Sequence, residues 1–169
     1  MIPSERDALM MGTVRLVGAA MGWNREAALA ANYSMVQLWI ANVLATAPYS
    51  LLIRYLIIEC TDVTDVRLGF DTTALADDDG EFFHVDRNYV GALNLLSNVR
   101  SEQAGAIPGT FTPICRIPVA AGIPVLVPGP WRVTDVAGSG LVVVPAIQNA
   151  GIACTFAWSE GLSWCADGI

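Results

Sequence analysis

"GTFTPICRIPVAAGIPVLVPGPWRVTDV", residues 109–136, decides the fold. Pro113, Pro118, Pro124, Pro128 and Pro130 divide it into short runs rich in Val, Ile and Leu. Each proline removes a ladder donor, so prolines this dense belong at strand ends and sheet edges. The stretch therefore predicts short β-strands separated by turns. Downstream, "GLVVVPAIQ" (140–148) and "GIACTFAWSEG" (151–161) continue the pattern. In the second, Ile152, Cys154, Phe156 and Trp158 share one strand face. Ala153, Thr155 and Ala157 form the other, small enough to lie close against another layer.

Upstream the texture is similar. In "VTDVRLGF" (63–70), Val66, Leu68 and Phe70 point one way and Asp65 and Arg67 the other. "EFFHVD" (81–86) is a short strand candidate, and "YVGALNLLSNVR" (89–100) fits helix or strand. "LLIRYLIIEC" (51–60) is the most apolar stretch. As a regular strand it would place Leu51, Ile53, Tyr55 and Ile57 on one face, and Leu52, Leu56, Ile58 and Cys60 on the other. Both faces are apolar, which predicts a central strand covered on both sides, by an arm or a neighbouring subunit. Arg54 then needs a partner, because an unpaired buried charge is costly. Short strands with turn residues every eight to twelve positions mark an antiparallel sandwich or barrel. A mainly β, antiparallel sandwich of jelly-roll type is expected over residues 49–169.

The first third carries a different signal. Ser4 before Glu5 and Asp7 resembles a capping box, and Leu9, Thr13, Leu16 and Ala20 recur at helical spacing. Asn24 is a second N-cap candidate. Leu29, Tyr33, Val36, Ile40 and Val43 follow it at spacings of four, three, four and three, an a/d stripe that covers a domain core or packs against symmetry mates. Residues 1–48 are therefore expected to form a helical N-terminal arm, although "SMVQLWIANVLA" (34–45) also suits a strand.

Composition speaks to the setting. Hydrophobic residues make up 54% of the 169 residues. Counted without Tyr and with Gly, the apolar share is roughly 60%, against a usual ~45–50%. Charged residues are only 15%, against a usual ~25%. A small globule has much surface per volume, so much of this surface is expected to face protein. The cations are nine arginines with no lysine, and the net charge is −7. That balance disfavours nucleic acid, which needs a cationic patch, while Arg-for-Lys suits either GC-rich coding or protein interfaces. The N-terminus lacks a basic n-region, so no signal peptide is expected. No apolar run reaches the ~18–20 residues of a spanning helix, so no membrane partner is expected.

Chemical motifs are sparse. Cys60, Cys115, Cys154 and Cys165 form no CxxC, and His84 is the single histidine; a zinc cluster is not expected. Cys154 and Cys165 could pair, but reduced structural cysteines suit intracellular synthesis. In "LADDDGEFFHVD" (75–86), Asp77, Asp79 and Asp86 resemble part of a calcium loop. Leu75 stands at the first ligand position, which favours an acidic hairpin turn with Asp-Gly at its tip. His84 lacks a nucleophile motif beside it. Asp62 and Asp65 suit a turn better than a two-carboxylate site. Trp23, Trp39, Trp131, Trp158 and Trp164 fit core or interface anchors better than a sugar platform. No cofactor is expected, and the chain does not read as an enzyme.

The Pro/Gly-punctuated run "GIPVLVPGPWRVTDVAGSGLVVVPAIQNAGIACTFAW" (122–158) resembles small virion proteins of tailed bacteriophages: capsid cement or decoration proteins, head-fibre or collar proteins and single jelly-roll coat proteins. The resemblance implies a symmetric homo-oligomer, often a trimer, that clamps neighbouring shell or neck subunits without chemistry. It also implies location in the virion after synthesis in the host cytoplasm. The interface is expected at Leu29, Tyr33, Val36, Ile40 and Val43, with Arg54, Trp131 and Trp158. The alternatives are a carbohydrate- or lipid-binding sandwich module and a carboxylate hydrolase using Asp62, Asp65 or Glu81.

Overall fold

The computed structural model describes residues 14–24, 31–40, 49–77, 83–84, 97–134 and 139–162. Among them the chain is built of strands, and every strand-to-strand ladder is antiparallel. They are β1 (Val14–Asn24), β2 (Tyr33–Ile40), β3 (Tyr49–Cys60), β4 (Thr64–Asp71) and β5 (Phe83–His84). Then come β6 (Ser97–Ala104), β7 (Thr112–Val119), β8 (Val125–Thr134), β9 (Ser139–Pro145) and β10 (Ile152–Leu162). The first sheet has the order β5-β1-β10-β3-β8, and the second β6-β2-β9-β4-β7.

The result is β-sandwich-like. A single apolar cluster draws Val36, Leu38 and Ile40 (β2), Val66 and Leu68 (β4) and Leu141 and Val143 (β9) from the second sheet. The first sheet contributes Leu51, Ile53, Leu56 and Ile58 (β3) and Ile152, Cys154, Phe156 and Trp158 (β10). Phe156 and Trp158 are among its largest fully buried side chains. The Trp158 indole N–H donates to the Ser97 hydroxyl at 3.1 Å, so its one polar atom is satisfied inside the core.

The prolines lie where their missing N–H groups matter least. Pro113 and Pro118 are in β7, and Pro128 and Pro130 in β8, the strands that end the two sheets. At one end of the strands the connections are tied together by backbone bonds: Gly122 N to Cys60 O (2.8 Å), Thr61 N to Gly151 O (3.0 Å) and Asn149 N to Asn32 O (2.8 Å).

Two expectations are corrected. The segment 1–48 was expected to be a helical arm, yet β1 and β2 are strands paired into the two sheets. Val36 and Ile40 are four residues apart, a spacing that also places both on one face of a strand; Tyr33, an odd number of residues away, falls on the other. β-branched and aromatic side chains and a place between β6 and β9 outweigh the helical stripe. Leu29 and Val43 lie outside the described residues.

The second correction concerns β3. It is the central strand expected, between β10 and β8. However, both of its ladders pass over Arg54, pairing Ile53 and Tyr55 on either side of it. This β-bulge adds one residue and shifts the alternation. Leu51, Ile53, Leu56, Ile58 and Cys60 all face the core, while Tyr55 and Ile57 turn outward and are exposed. Gly129 of β8 lies against the bulge, where a Cβ would collide with the carbonyl oxygens of Ile53 and Arg54.

Candidate assembly surface

The outer faces of the two sheets differ. On the second sheet, Met35, Val142 and Val144 point away from the main core, yet they are buried. They form a second cluster with Leu75, against which Tyr33, Ile107 and Phe111 pack. The cover is a strap, residues 72–77, together with the loop 105–111. Gln37, fully buried, holds the strap at two points: its amide nitrogen donates to Thr73 O (2.9 Å), and its amide oxygen accepts from Leu75 N (3.0 Å). Arg100 donates to the carbonyls of Leu75 and Ala76, and Glu102 accepts from Ala76 N. Asp77 and Ser101 exchange backbone bonds at 3.0 and 2.8 Å. Asp71, also buried, fixes the start of the strap by accepting from Thr73 N (3.0 Å) and from the Thr110 hydroxyl.

On the first sheet the outward positions are open. Tyr55 is 41% exposed, Ile57 38% and Leu126 64%. Ile57 pairs with Leu126, and Tyr55 with the exposed Pro128, so these side chains form one patch across β3 and β8. On the β10 side, Thr155 and Ala157 oppose Ile57 and Tyr55. Their short side chains leave the patch flat. Glu59 stands beyond one end of the apolar rows and Arg132, opposite Leu52, at the other. The result is a contiguous apolar patch with a charged side chain beyond each end.

The sequence-derived site residues fall elsewhere. Val36, Ile40 and Trp158 are core residues and are not available to a partner. Trp131 is half-buried and packs against the same core. Tyr33 packs on the second cluster, with the Arg67 guanidinium 5.8 Å from its ring centre. Arg54 is half-buried at the bulge. Of the metal candidates, Asp77 is exposed at the end of the strap and bridges Ser101 through its backbone, and Asp79 and Asp86 lie outside the described residues. Among the described residues no group of three or more His, Cys, Asp or Glu could hold a metal ion. Asp62 accepts from the Thr61 hydroxyl at 2.6 Å on an exposed turn, and Asp65 is exposed nearby. Of the tryptophans whose side chains are described, Trp39 and Trp158 are buried and Trp131 packs on the core.

A cleft of about 300 Å³ at the ends of β4 and β7 is lined by Asp71, Thr110, Thr112, Arg132 and Ser139 among others. Its single carboxylate already serves the strap. The thiols are shielded. Burial, and then the charges of Asp62 and Glu59, push Cys60 up to about 11. Burial raises Cys154 well above the ordinary thiol value and also raises Cys115. Shielded, protonated thiols are poor nucleophiles and poor metal ligands. Cys165 lies outside the described residues. No helix among the described residues is long and apolar enough to cross a membrane, which says nothing about strands.

Compared with family models, with curated protein sequences and with solved structures, the chain matches none.

Proposed function

We propose that this chain is a structural subunit of a tailed-bacteriophage virion: a jelly-roll sandwich that forms a symmetric homo-oligomer and binds the capsid shell or its attachments. The observation that carries the assembly part is the open apolar face of the first sheet, in a chain whose second sheet has its own cover. The strand order supports the jelly-roll part. Leaving out β5 and β6, the sheets read β1-β10-β3-β8 and β2-β9-β4-β7, and consecutive strands alternate between sheets except β4 and β7, which pair within the second. That order supports a reading as two interleaved Greek keys. β5 and β6 fall in the β4–β7 connection and add one strand to each sheet, beside β1 and β2. The virion setting rests on the resemblance of residues 122–158 and on the scarcity of charge. Burial alone drives this function, so no catalytic group or cofactor is needed. Mass spectrometry of purified virus particles from the source tests the setting: the chain is expected among the particle proteins in a fixed ratio to the shell protein. Its absence from intact particles would remove the virion proposal.

A further inference from the structure

We infer that the outer face of the first sheet is a twofold self-association surface, on which a second copy lies with its strands reversed, so that Glu59 of each copy meets Arg132 of the other. The inference rests on the assembly reading above and specifies its geometry.

The charge pattern selects the geometry. Along β3 and β8 the face runs from Glu59, through Ile57 with Leu126 and Tyr55 with Pro128, to Leu52 with Arg132. It is acidic at one end and basic at the other, with an apolar middle interrupted by the half-buried Arg54 at the bulge. Face-to-face packing of identical sheets about a twofold allows two simple alignments. With the axis along the strands, like ends coincide, Glu59 over Glu59 and Arg132 over Arg132. With the axis across the strands, near the Tyr55 and Ile57 rows, each acidic end covers a basic one. Like-charge juxtaposition suppresses the first, and complementarity favours the second. Arg132 is one strand over from β3, about 4.8 Å. A contact that uses the same patch on both copies is isologous and closes as a pair. This replaces the trimer that the phage resemblance implies. A second copy is the occupant that this polarity fits: the patch offers a partner the same apolar middle and the same opposed ends that the partner must bring.

The three strands β10, β3 and β8 offer a face of roughly 15 by 23 Å, on the order of 350 Å². That is about half the ~800 Å² per partner of a standard interface, which places the contact in the weak, transient class.

Sedimentation velocity on the full chain, from about 1 to 100 μM, tests the arrangement. Wild type is expected to form dimers that weaken with added salt. Glu59→Arg and Arg132→Glu should each weaken the dimer by about tenfold or more, and the double swap should return it to within about threefold of wild type. Glu59→Gln, a milder change, covers the case in which Glu59→Arg does not fold, and should weaken pairing about threefold. Circular dichroism melts verify that each variant keeps its fold. If wild type assembles but the double swap is no tighter than the single variants, the reversed-strand arrangement is wrong and the assembly reading survives. A wild type that stays monomeric throughout overturns both.

Discussion

Gln37→Leu tests the claim that the strap 72–77 is what closes the outer face of the second sheet. Gln37 is fully buried, and its amide makes two hydrogen bonds to the strap, to Thr73 O and from Leu75 N. Leucine has similar bulk but neither bond. In the variant, either two backbone groups stay buried without partners or the strap lifts off. An unsatisfied buried group costs about 1–3 kcal/mol, so holding the strap down costs about 2–6 kcal/mol. Lifting it instead exposes Leu75, which forfeits about 2 kcal/mol of apolar burial, and uncovers parts of Met35, Val142 and Val144. The cheaper route sets the expected loss, about 2–4 kcal/mol, measured as a lowered urea midpoint. Hydrogen exchange at the Leu75 amide should accelerate well before the core strands open. The exposed cluster should also make the variant more prone to aggregate. A loss below about 0.5 kcal/mol, with Leu75 exchange unchanged, would refute the strap's role.

Other positions separate core from surface. Ile40→Asp places a carboxylate in the main core, where Ile40 is fully buried; the variant is expected to lose cooperative unfolding altogether, and a melt like that of wild type would contradict the placement. Gly129→Ala drives a Cβ into the β3 bulge and should cost about 1–3 kcal/mol as overpacking, read from the denaturant midpoint. Cys60 sets a pH dependence. Its thiol is raised from 9.0 to about 11 in the folded state, so between those values the unfolded chain releases a proton that the folded chain keeps. Stability from this group is fully present below about pH 9 and falls as pH rises toward about 11. Midpoints measured across that range should fall less steeply in Cys60→Ala; equal slopes would remove Cys60 as the cause.

The parts of the fold legible in the sequence were those where one physical rule acts alone. Prolines marked β7 and β8 as outer strands because a missing ladder donor has no other tolerable place. The alternation of β10 was direct: Ile152, Cys154, Phe156 and Trp158 face the core, and the small side chains face away. In β4, Val66, Leu68 and Phe70 likewise turn inward. The reading failed where two rules agree locally. A four-residue spacing satisfies a helix face and a strand face alike, so Val36 and Ile40 suggested an interface helix when they belong to the core. The bulge at Arg54 leaves no mark in composition, yet it turns Tyr55 and Ile57 outward. That also hid the exposed apolar face of the first sheet. Leu126, Pro128 and Arg132 look like the rest of a Pro-rich strand until the register of β8 against β3 places them beside Tyr55 and Ile57. The one available signal was the excess of apolar residues, which said that some face had to be covered without saying which.

The central claim is that the exposed face centred on Tyr55, Ile57 and Leu126 joins this chain to protein. The most direct measurement is the native mass of wild type beside Leu126→Asp, a change at a site 64% exposed and outside the core. Wild type is expected to be an oligomer, and the variant a monomer with an unchanged melting temperature. A wild type that is monomeric at every concentration, or a folded variant that assembles as wild type does, would contradict it.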